Sequence, residues 1–310
     1  MDASVRTSPR SGVRLERFKS KYLKPQTLTS VLWVIVRAII LLGLCYIILY
    51  PFFIKIINAF KTYSDFIDPT VRFLPKNFTL DNIKHVINEM NYWTTLRNTV
   101  VICLILSPLQ TLVCAVTGYG FARFRFKLRG ICFFLVIFSL IVPSQTILLP
   151  LHLKFKTFLG VFNLIGTPWP LVIMSLTGLG IKNGLYIFMF RQFFRNMPKE
   201  LEEASYLDGC GTVRTFTKIM LPAATSTMVT VFLLSLAWQW TDTVFTPRFL
   251  DDIDIMSRNV NALMQSAGKP IEVANYVNIG AVLAVIPIAL VYIVLQKFFV
   301  ESIDRAGIVG

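Results

Sequence analysis

The sequence is poor in the residues from which most metal sites and disulfide frameworks are built. Among 310 residues it has two histidines and five cysteines, and no two cysteines form a C-x-x-C pair. Neither a zinc site nor a disulfide framework is indicated, and we expect no metal and no cofactor. The cysteines fit the part of small buried apolar residues. We interpret His85 as a solvated surface residue and His152 as a residue at a membrane interface.

Familiar catalytic motifs are also missing from the sequence. It contains no H-E-x-x-H, no G-x-S-x-G and no G-x-x-x-x-G-K-[ST] phosphate-binding loop. Its one Gly-Lys pair, at Gly268, is followed by proline instead of the serine or threonine that a phosphate-binding loop requires. The chain therefore has no such loop with which to hydrolyse ATP, and a membrane-embedded enzyme has little support. We predict that it is not an enzyme.

Charge is scarce, and long apolar runs take its place. Charged residues make up 15% of the sequence and hydrophobic residues 55%, with a mean hydropathy of +0.62. This composition is typical of a protein that crosses a membrane several times. A basic tail over residues 1–30 precedes six apolar runs, each near the ~20 residues that a bilayer needs. The runs cover residues 31–57, 98–120, 130–150, 169–190, 223–246 and 277–297, within a transmembrane domain predicted at 31–300.

The basic residues are shared unequally between the two sides of these spans. Eighteen Lys and Arg lie in the tail, in 121–129, in 191–218 and at the C-terminal end, whereas the opposite loops hold nine. The positive-inside rule therefore predicts a multi-pass protein of the cell membrane with both termini in the cytoplasm. The net charge of +14 then needs no nucleic acid. The alternating aromatic and basic residues of 121–129 are interpreted as an inner-face anchor in the lipid bilayer.

A charged, amphipathic stretch lies between the fourth and fifth runs, and we call it the 198–222 segment. Three glutamates occupy its beginning, where carboxylates suit the positive end of a helix dipole. A glycine pair that starts at Gly209 would end this helix. Beyond it, Val213, Phe216 and Met220 are spaced as one apolar stripe of a second helix. The pattern predicts two short helices at an angle, lying at the cytoplasmic surface and offering a face to a soluble partner.

The 198–222 segment resembles the EAA loop of ABC importer permeases, whose pattern is E-A-A, two residues, D-G, a gap, and then F, I and P. The matching residues are Glu203, Ala204, Ser205, Asp208, Gly209, Phe216, Ile219 and Pro222. Ser205 departs from the pattern, because the family usually has alanine there. The sequence GYGFARF at 118–124 and RQFF at 191–194 resemble the sugar-transporting branch of these permeases. The alternative is an interfacial hairpin without a partner.

The resemblance implies an all-α integral membrane protein with six transmembrane helices of the type I ABC importer permease fold. It implies that the 198–222 segment is a cytoplasmic coupling helix. The ATPase-coupling residues are then Glu203, Ala204, Ser205, Asp208, Gly209, Phe216 and Pro222. The expected partners are a second related permease, two ATP-binding subunits and an extracytoplasmic sugar-binding protein. The alternatives are an importer of a polyamine or phosphonate, or a secondary transporter, which would need more acidic or histidine residues in its spans.

Lys182 is the first candidate for a substrate path, together with Trp240 and Asp242. It lies inside the fourth apolar run, where a lysine that faces lipid costs about 2.5–3.5 kcal/mol. The neighbouring Gly178, Gly180 and Gly184 suggest a loosely packed backbone that opens onto water. Alternatively, the span begins later and Lys182 lies in an outer loop, or it pairs with an acid of the partner permease. We also expect the loop 247–276 to contact the binding protein, and residues 301–310 to form a cytoplasmic tail against the ATPase.

Overall fold

The computed structural model describes the backbone of residues 25–307 and the side chains of residues 30–297. Within these residues the regular structure is helical, and the only pairings of β type are two isolated bridges. The all-α prediction is confirmed. Most of the predicted tail 1–30 lies outside the described residues, as do the side chains of the predicted tail 301–310 and the backbone of its last three residues. Two compact units, Met1–Asn58 and Ala59–Gly310, are described separately.

The described part of the first unit is helix α1 (Pro25–Ala59), which begins six residues before the predicted span. Nearly all of its described side chains up to Phe53 are exposed, and most of them are large and apolar. Residues Ser30–Ala59 are long and apolar enough to cross a membrane. An apolar helix with no polar face suits lipid, because its backbone groups are all bonded within the helix.

The second unit is built around two long helices and a series of shorter ones. Its N-terminal part contains two short helices, which precede the first long one. The helices are α2 (Tyr63–Ile67), α3 (Asp81–Glu89), α4 (Tyr92–Arg123), α5 (Arg129–Phe138), α6 (Ser144–Lys156), α7 (Trp169–Leu176), α8 (Asn183–Asn196), α9 (Glu200–Leu207), α10 (Thr212–Thr215), α11 (Leu221–Ala223), α12 (Thr225–Trp240), α13 (Thr246–Phe249), α14 (Met256–Ala262) and α15 (Pro270–Gly307).

Two of the predicted spans in this unit are broken. Helix α4 and residues Pro270–Lys297 are single helices long enough to cross a membrane, and α12 with the helices before it forms a bent fourth candidate. The predicted span 130–150 runs instead as α5 and α6, which are separated at Pro143. The predicted span 169–190 runs as α7 and α8. Proline disfavours a helical conformation in the residue before it, and Gly178 (φ +76°) ends α7 in the left-handed region.

Helix α4 is the centre of the second unit and packs mainly against α8 and α12. The approach of α8 depends on Gly118, since a Cβ there would lie 2.5 Å from the Cβ of Phe190 and 2.9 Å from the backbone nitrogen of Arg191. Around this contact lies a buried apolar cluster that includes Tyr186, Phe190 and Phe194. The glycine of the GYGFARF sequence therefore permits a close helix–helix contact.

Candidate functional site

The 198–222 segment contains the two short helices predicted for it. Helix α9 ends before Gly209, whose φ of +79° lies in the region that glycine tolerates without strain. The chain then runs through α10 and α11, and the axis from residues 212–223 turns by 76° into α12. The Ser205 and Thr215 hydroxyls lie 2.8 Å apart and are buried, so that they join α9 to α10. The departure from alanine at Ser205 therefore supplies a contact.

The solvent-exposed face of the 198–222 segment, which we call its outward face, carries both apolar and acidic side chains. Glu203, Ala204, Asp208, Gly209 and Pro222 of the predicted coupling residues are exposed, whereas Phe216 is partly buried and Ser205 is buried. Leu207 is 89% exposed and Val213 is 77% exposed. Both are more exposed than most of the large apolar side chains in the described residues.

The predicted apolar stripe of the second helix is wrong in one respect. Met220 is fully buried, but Val213 points into solvent. Residues Phe216–Met220 form a π-helical turn, in which the hydrogen bonds span five residues instead of four. The wider turn shifts the register between Val213 and Met220, so that the two side chains do not share a face.

Glu202, the residue before the EAA-like sequence, is the buried member of the glutamate group. Its Oε1 accepts a 2.7 Å hydrogen bond from the Tyr119 hydroxyl. Its Oε2 lies 3.3 Å from Nε of Arg123, as an ion pair without good hydrogen-bond alignment. A terminal nitrogen of Arg123 donates to the carbonyl of Met197 at 2.8 Å. We call Tyr119, Arg123 and Glu202 the Glu202 network; it joins α4, the end of α8 and the 198–222 segment.

Lys182 lies at the break between α7 and α8, and not within a continuous span. It adopts a left-handed conformation (φ +61°) immediately before α8. Its ammonium group lies 4.8 Å from the centre of the Trp238 ring, a cation–π contact with α12. The expectation of loose packing around it fits Gly178, which has open space around it, but not Gly184, where a Cβ would lie 2.7 Å from the carbonyl oxygen of Val136. A Cβ at Gly180 would lie as near to the Gln110 amide nitrogen.

Close to this break, polar side chains meet in the interior. Gln110 accepts a 2.6 Å hydrogen bond from the Ser235 hydroxyl and donates to the Ser175 hydroxyl at 3.3 Å. Both side-chain amide atoms of Asn183 are buried and have no hydrogen-bond partner within the described part of the chain. We call Gln110, Ser175, Asn183 and Ser235 the central polar cluster. All four are 1% exposed, and they join α4, α7, α8 and α12.

The other two residues predicted for the substrate path are engaged within the fold. The carboxylate of Asp242 accepts hydrogen bonds from the backbone nitrogens of Val244, Phe245 and Thr246 and from the Thr246 hydroxyl. It holds the start of α13. The indole nitrogen of Trp240 donates to the carbonyl of Ala284 at 2.9 Å, and its ring lines a small pocket beside Thr99 and Gln239. Their role in transport stays a prediction.

The predicted loop 247–276 is largely structured. It contains α14, and Arg258 donates to four backbone carbonyls of residues 247–253. The amide of Asn259 bonds to the carbonyl of Met90, to Thr95 and to Asp254. Asn261 is exposed, and its amide donates to the carbonyl of Ser257 at 2.9 Å. Hydrogen bonds within the fold therefore hold this region in place.

Sequence reasoning missed the Glu202 network and the central polar cluster. Tyr119 and Arg123 were noted only as part of a family-like run, although their i, i+4 spacing places both side chains on one helix face. Gln110 was not noted either, although a glutamine in the middle of an apolar run is the kind of residue that marks a function inside a membrane.

Comparison with known proteins gives consistent results for this arrangement. A sequence family described as the binding-protein-dependent transport system inner membrane component matches residues 114–305. A putative ABC transporter permease of Caldicellulosiruptor sp. (strain Rt8B.4) is 31% identical over 198 residues, which cover 63% of this chain and 68% of that protein. An arabinooligosaccharide transport permease of Halalkalibacterium halodurans is 26% identical over 86% of this chain and 93% of its own length.

Two further similarities extend the comparison to most of the chain. A maltodextrin transport permease of Streptococcus pneumoniae is 28% identical over 86% of this chain and 92% of its own length. Among solved structures, a chain of a bacterial ABC transporter that imports the acidic polysaccharide alginate superimposes with a TM-score of 0.69. That match covers 87% of this chain and 98% of the other, at 19% identity, and shows that the two share a fold.

Proposed function

Because the chain belongs to the family of binding-protein-dependent transport system inner membrane components, we propose that it is the permease subunit of an ABC importer for a sugar or oligosaccharide. The substrate class is supported by relatives that are named for arabinooligosaccharides and maltodextrin. The observation that carries the mechanism is the outward face of the 198–222 segment. Leu207 and Val213 are exposed on the same segment as the carboxylates of Glu203 and Asp208, which are exposed too. Such a knob suits a cleft on a soluble ATP-binding subunit.

The proposed complex contains this chain, a second related permease, two ATP-binding subunits and an extracytoplasmic binding protein. ATP binding and hydrolysis take place on the separate subunits, since this sequence has no phosphate-binding loop. Nucleotide on the ATP-binding subunits and the loaded binding protein on the opposite side of the membrane shift the paired permeases between an inward-open and an outward-open state. The excess of Lys and Arg in the loops beside the 198–222 segment supports a cytoplasmic location for it and for both termini.

The opposite side of the protein is proposed to receive the binding protein at residues 247–276. A photo-crosslinking residue at the exposed Asn261 is expected to capture the loaded binding protein. The same residue at Asn259, which is held by three hydrogen bonds within the fold, is the matched control and is expected to react little. An Asn261 variant that never captures the binding protein would count against this contact.

The function is tested with the whole complex. The tagged chain is purified from its native membrane, and mass spectrometry identifies the subunits that copurify. The complex is then placed in vesicles with ATP inside, and uptake of labelled maltodextrin and arabinooligosaccharides is measured with the binding protein outside. We expect uptake that requires ATP and survives a protonophore. Uptake that follows a proton gradient without ATP would instead indicate a secondary transporter.

A further inference from the structure

The Glu202 network is more than a surface contact, because its charged groups are taken out of water. Glu202 is 8% exposed and Tyr119 is 4% exposed, and the side chains of the Arg123–Glu202 pair are 8% and 11% exposed respectively. Buried ion pairs are weak contributors to stability, since desolvation offsets much of the attraction. A pair of this kind fixes the relative position of the groups that it joins, because water does not reach either charge to replace its partner.

Several independent contacts join the same three elements around this network. The Tyr119 ring packs 5.4 Å from the ring of Phe194 on α8 and 4.8 Å from that of Phe216 in the 198–222 segment. Arg123 reaches the carbonyl of Met197 beyond the end of α8. Immediately before Tyr119, Gly118 allows α4 and α8 to approach closely. These contacts hold the C-terminal end of α4 to α8 and to the 198–222 segment.

Glu202 and Glu203 are adjacent but point to different surroundings. Glu203 is exposed on the outward face, whereas Glu202 turns inward to Tyr119 and Arg123. One helix turn of α9 therefore carries a group for the soluble partner and a group for the membrane core. A displacement imposed at the outward face reaches α4 through Glu202 without an intervening flexible loop.

We propose that Tyr119, Arg123 and Glu202 are positioning residues that make the 198–222 segment move as one body with α4 and α8, so that motion of the ATP-binding subunit reaches the transmembrane core. This inference rests on the proposed function. It assigns the transmission to residues outside the EAA-like sequence, and to the inward face of α9 in place of its outward face.

The test uses the complete importer in vesicles with the variants Tyr119→Phe, Glu202→Gln and Arg123→Gln. Substrate transported per ATP hydrolysed is measured, together with the apparent KM for ATP. We expect the transport ratio to fall by about tenfold, within the usual range of coupling between sites, while the KM for ATP is unchanged. Arg123→Lys keeps the charge and should recover part of the loss. Glu200→Gln removes an exposed carboxylate from the same turn and is the matched control.

A double-variant comparison separates transmission from simple folding defects. If the residues act as one network, Tyr119→Phe combined with Glu202→Gln should be no worse than Glu202→Gln alone. Wild-type coupling in all three single variants, or effects that add fully, would overturn the proposal. If Glu202→Gln does not fold, Tyr119→Phe, which keeps the ring, decides the matter. A wild-type complex that does not couple ATP to uptake would instead refute the proposed function.

Discussion

Buried polar groups find different partners around the middle of α4 and around its C-terminal end. At the end, the carboxylate of Glu202 receives the Tyr119 hydroxyl and lies against Arg123. In the middle, Gln110 is bonded to Ser235 and Ser175, but the amide of the neighbouring Asn183 has no partner within the described residues. An ion-paired network, in which Nε of Arg123 lacks a hydrogen bond, thus lies about two to three turns of α4 away from a cluster whose α8 member, Asn183, has no partner for its amide.

This difference indicates which part of the core stays fixed and which part changes. A buried polar atom without a partner costs about 1–3 kcal/mol, so the Asn183 amide favours an arrangement in which water or another polar group reaches it. The break between α7 and α8 ends immediately before Asn183, so that helical hydrogen bonding is interrupted at the same place. We therefore expect the end of α4 to move as a rigid body and the region around the central polar cluster to rearrange.

The largest effect is expected where the rigid end is packed most closely. Gly118→Ala places a Cβ 2.5 Å from that of Phe190 and 2.9 Å from a backbone nitrogen, so a helix must shift. We expect a loss of about 1–3 kcal/mol in unfolding free energy, measured by thermal unfolding of the purified chain. Gly120→Ala is the matched control, since its nearest neighbour, Cδ2 of Phe124, is 4.0 Å away.

Gly180→Ala applies the same comparison to the middle of α4, because Gly180, in the break between α7 and α8, faces Gln110 of that helix. Its Cβ would meet the end of the flexible Gln110 side chain at 2.7 Å, which can turn aside. We therefore expect Gly180→Ala to destabilise the chain less than Gly118→Ala. The reverse order would mean that the middle is the more rigid part.

The second prediction distinguishes the satisfied and unsatisfied members of the central polar cluster. Gln110→Leu deprives Ser235 and Ser175 of a partner and should cost about 1–3 kcal/mol. Asn183→Leu removes an amide that has no partner in the described chain, and a similar volume takes its place, so stability should be unchanged or higher. Uptake should nevertheless fall in Asn183→Leu, because the variant favours the present arrangement over one in which the Asn183 amide is hydrogen-bonded. Equal loss of stability in both variants would contradict the distinction.

The third prediction concerns the outward face. Gly209 has a φ of +79°, which costs a residue with a Cβ about 1–2 kcal/mol. Gly209→Val should leave folding and insertion intact, because the site is open, but it should bend the 198–222 segment and uncouple ATP hydrolysis from uptake. Gly211→Val is a close control, since Gly211 is also open and has an ordinary φ of −78°. Normal uptake in Gly209→Val would show that this bend is not needed for coupling.

Much of the fold could be predicted from the sequence, because bilayer length and charge asymmetry leave few alternatives for such an apolar chain. The 198–222 segment was also predictable, since its glycines and glutamates act locally. The breaks at residues 143 and 177–182 were missed, because apolar runs on both sides hide them from a count of length. Glu202 could not be told from Glu200 or Glu203, since the difference between them lies in a tyrosine and an arginine over 70 residues away.

Only a small loss of stability is expected at Lys182, where the comparison concerns transport more than folding. Helix α8 is continuous from Asn183 past Arg191. Lys182 therefore lies about 13–14 Å from Arg191 along the helix axis. Its half-buried ammonium group has the Trp238 ring as a neighbour. Lys182→Met keeps the length and should cost about 0.5–1 kcal/mol from the lost cation–π contact.

We nevertheless expect Lys182→Met to weaken the apparent affinity for the transported sugar. An ammonium group beside a water-filled path would bond the hydroxyls of the sugar, or an anionic group if the sugar carries one. Lys154→Met, at an exposed lysine of α6, is the control and should transport normally. A cysteine at 182 should react with polar thiol reagents in at least one nucleotide state. Unchanged affinity, or a cysteine that never reacts, would remove Lys182 from the path and leave the packing against Trp238 as its role.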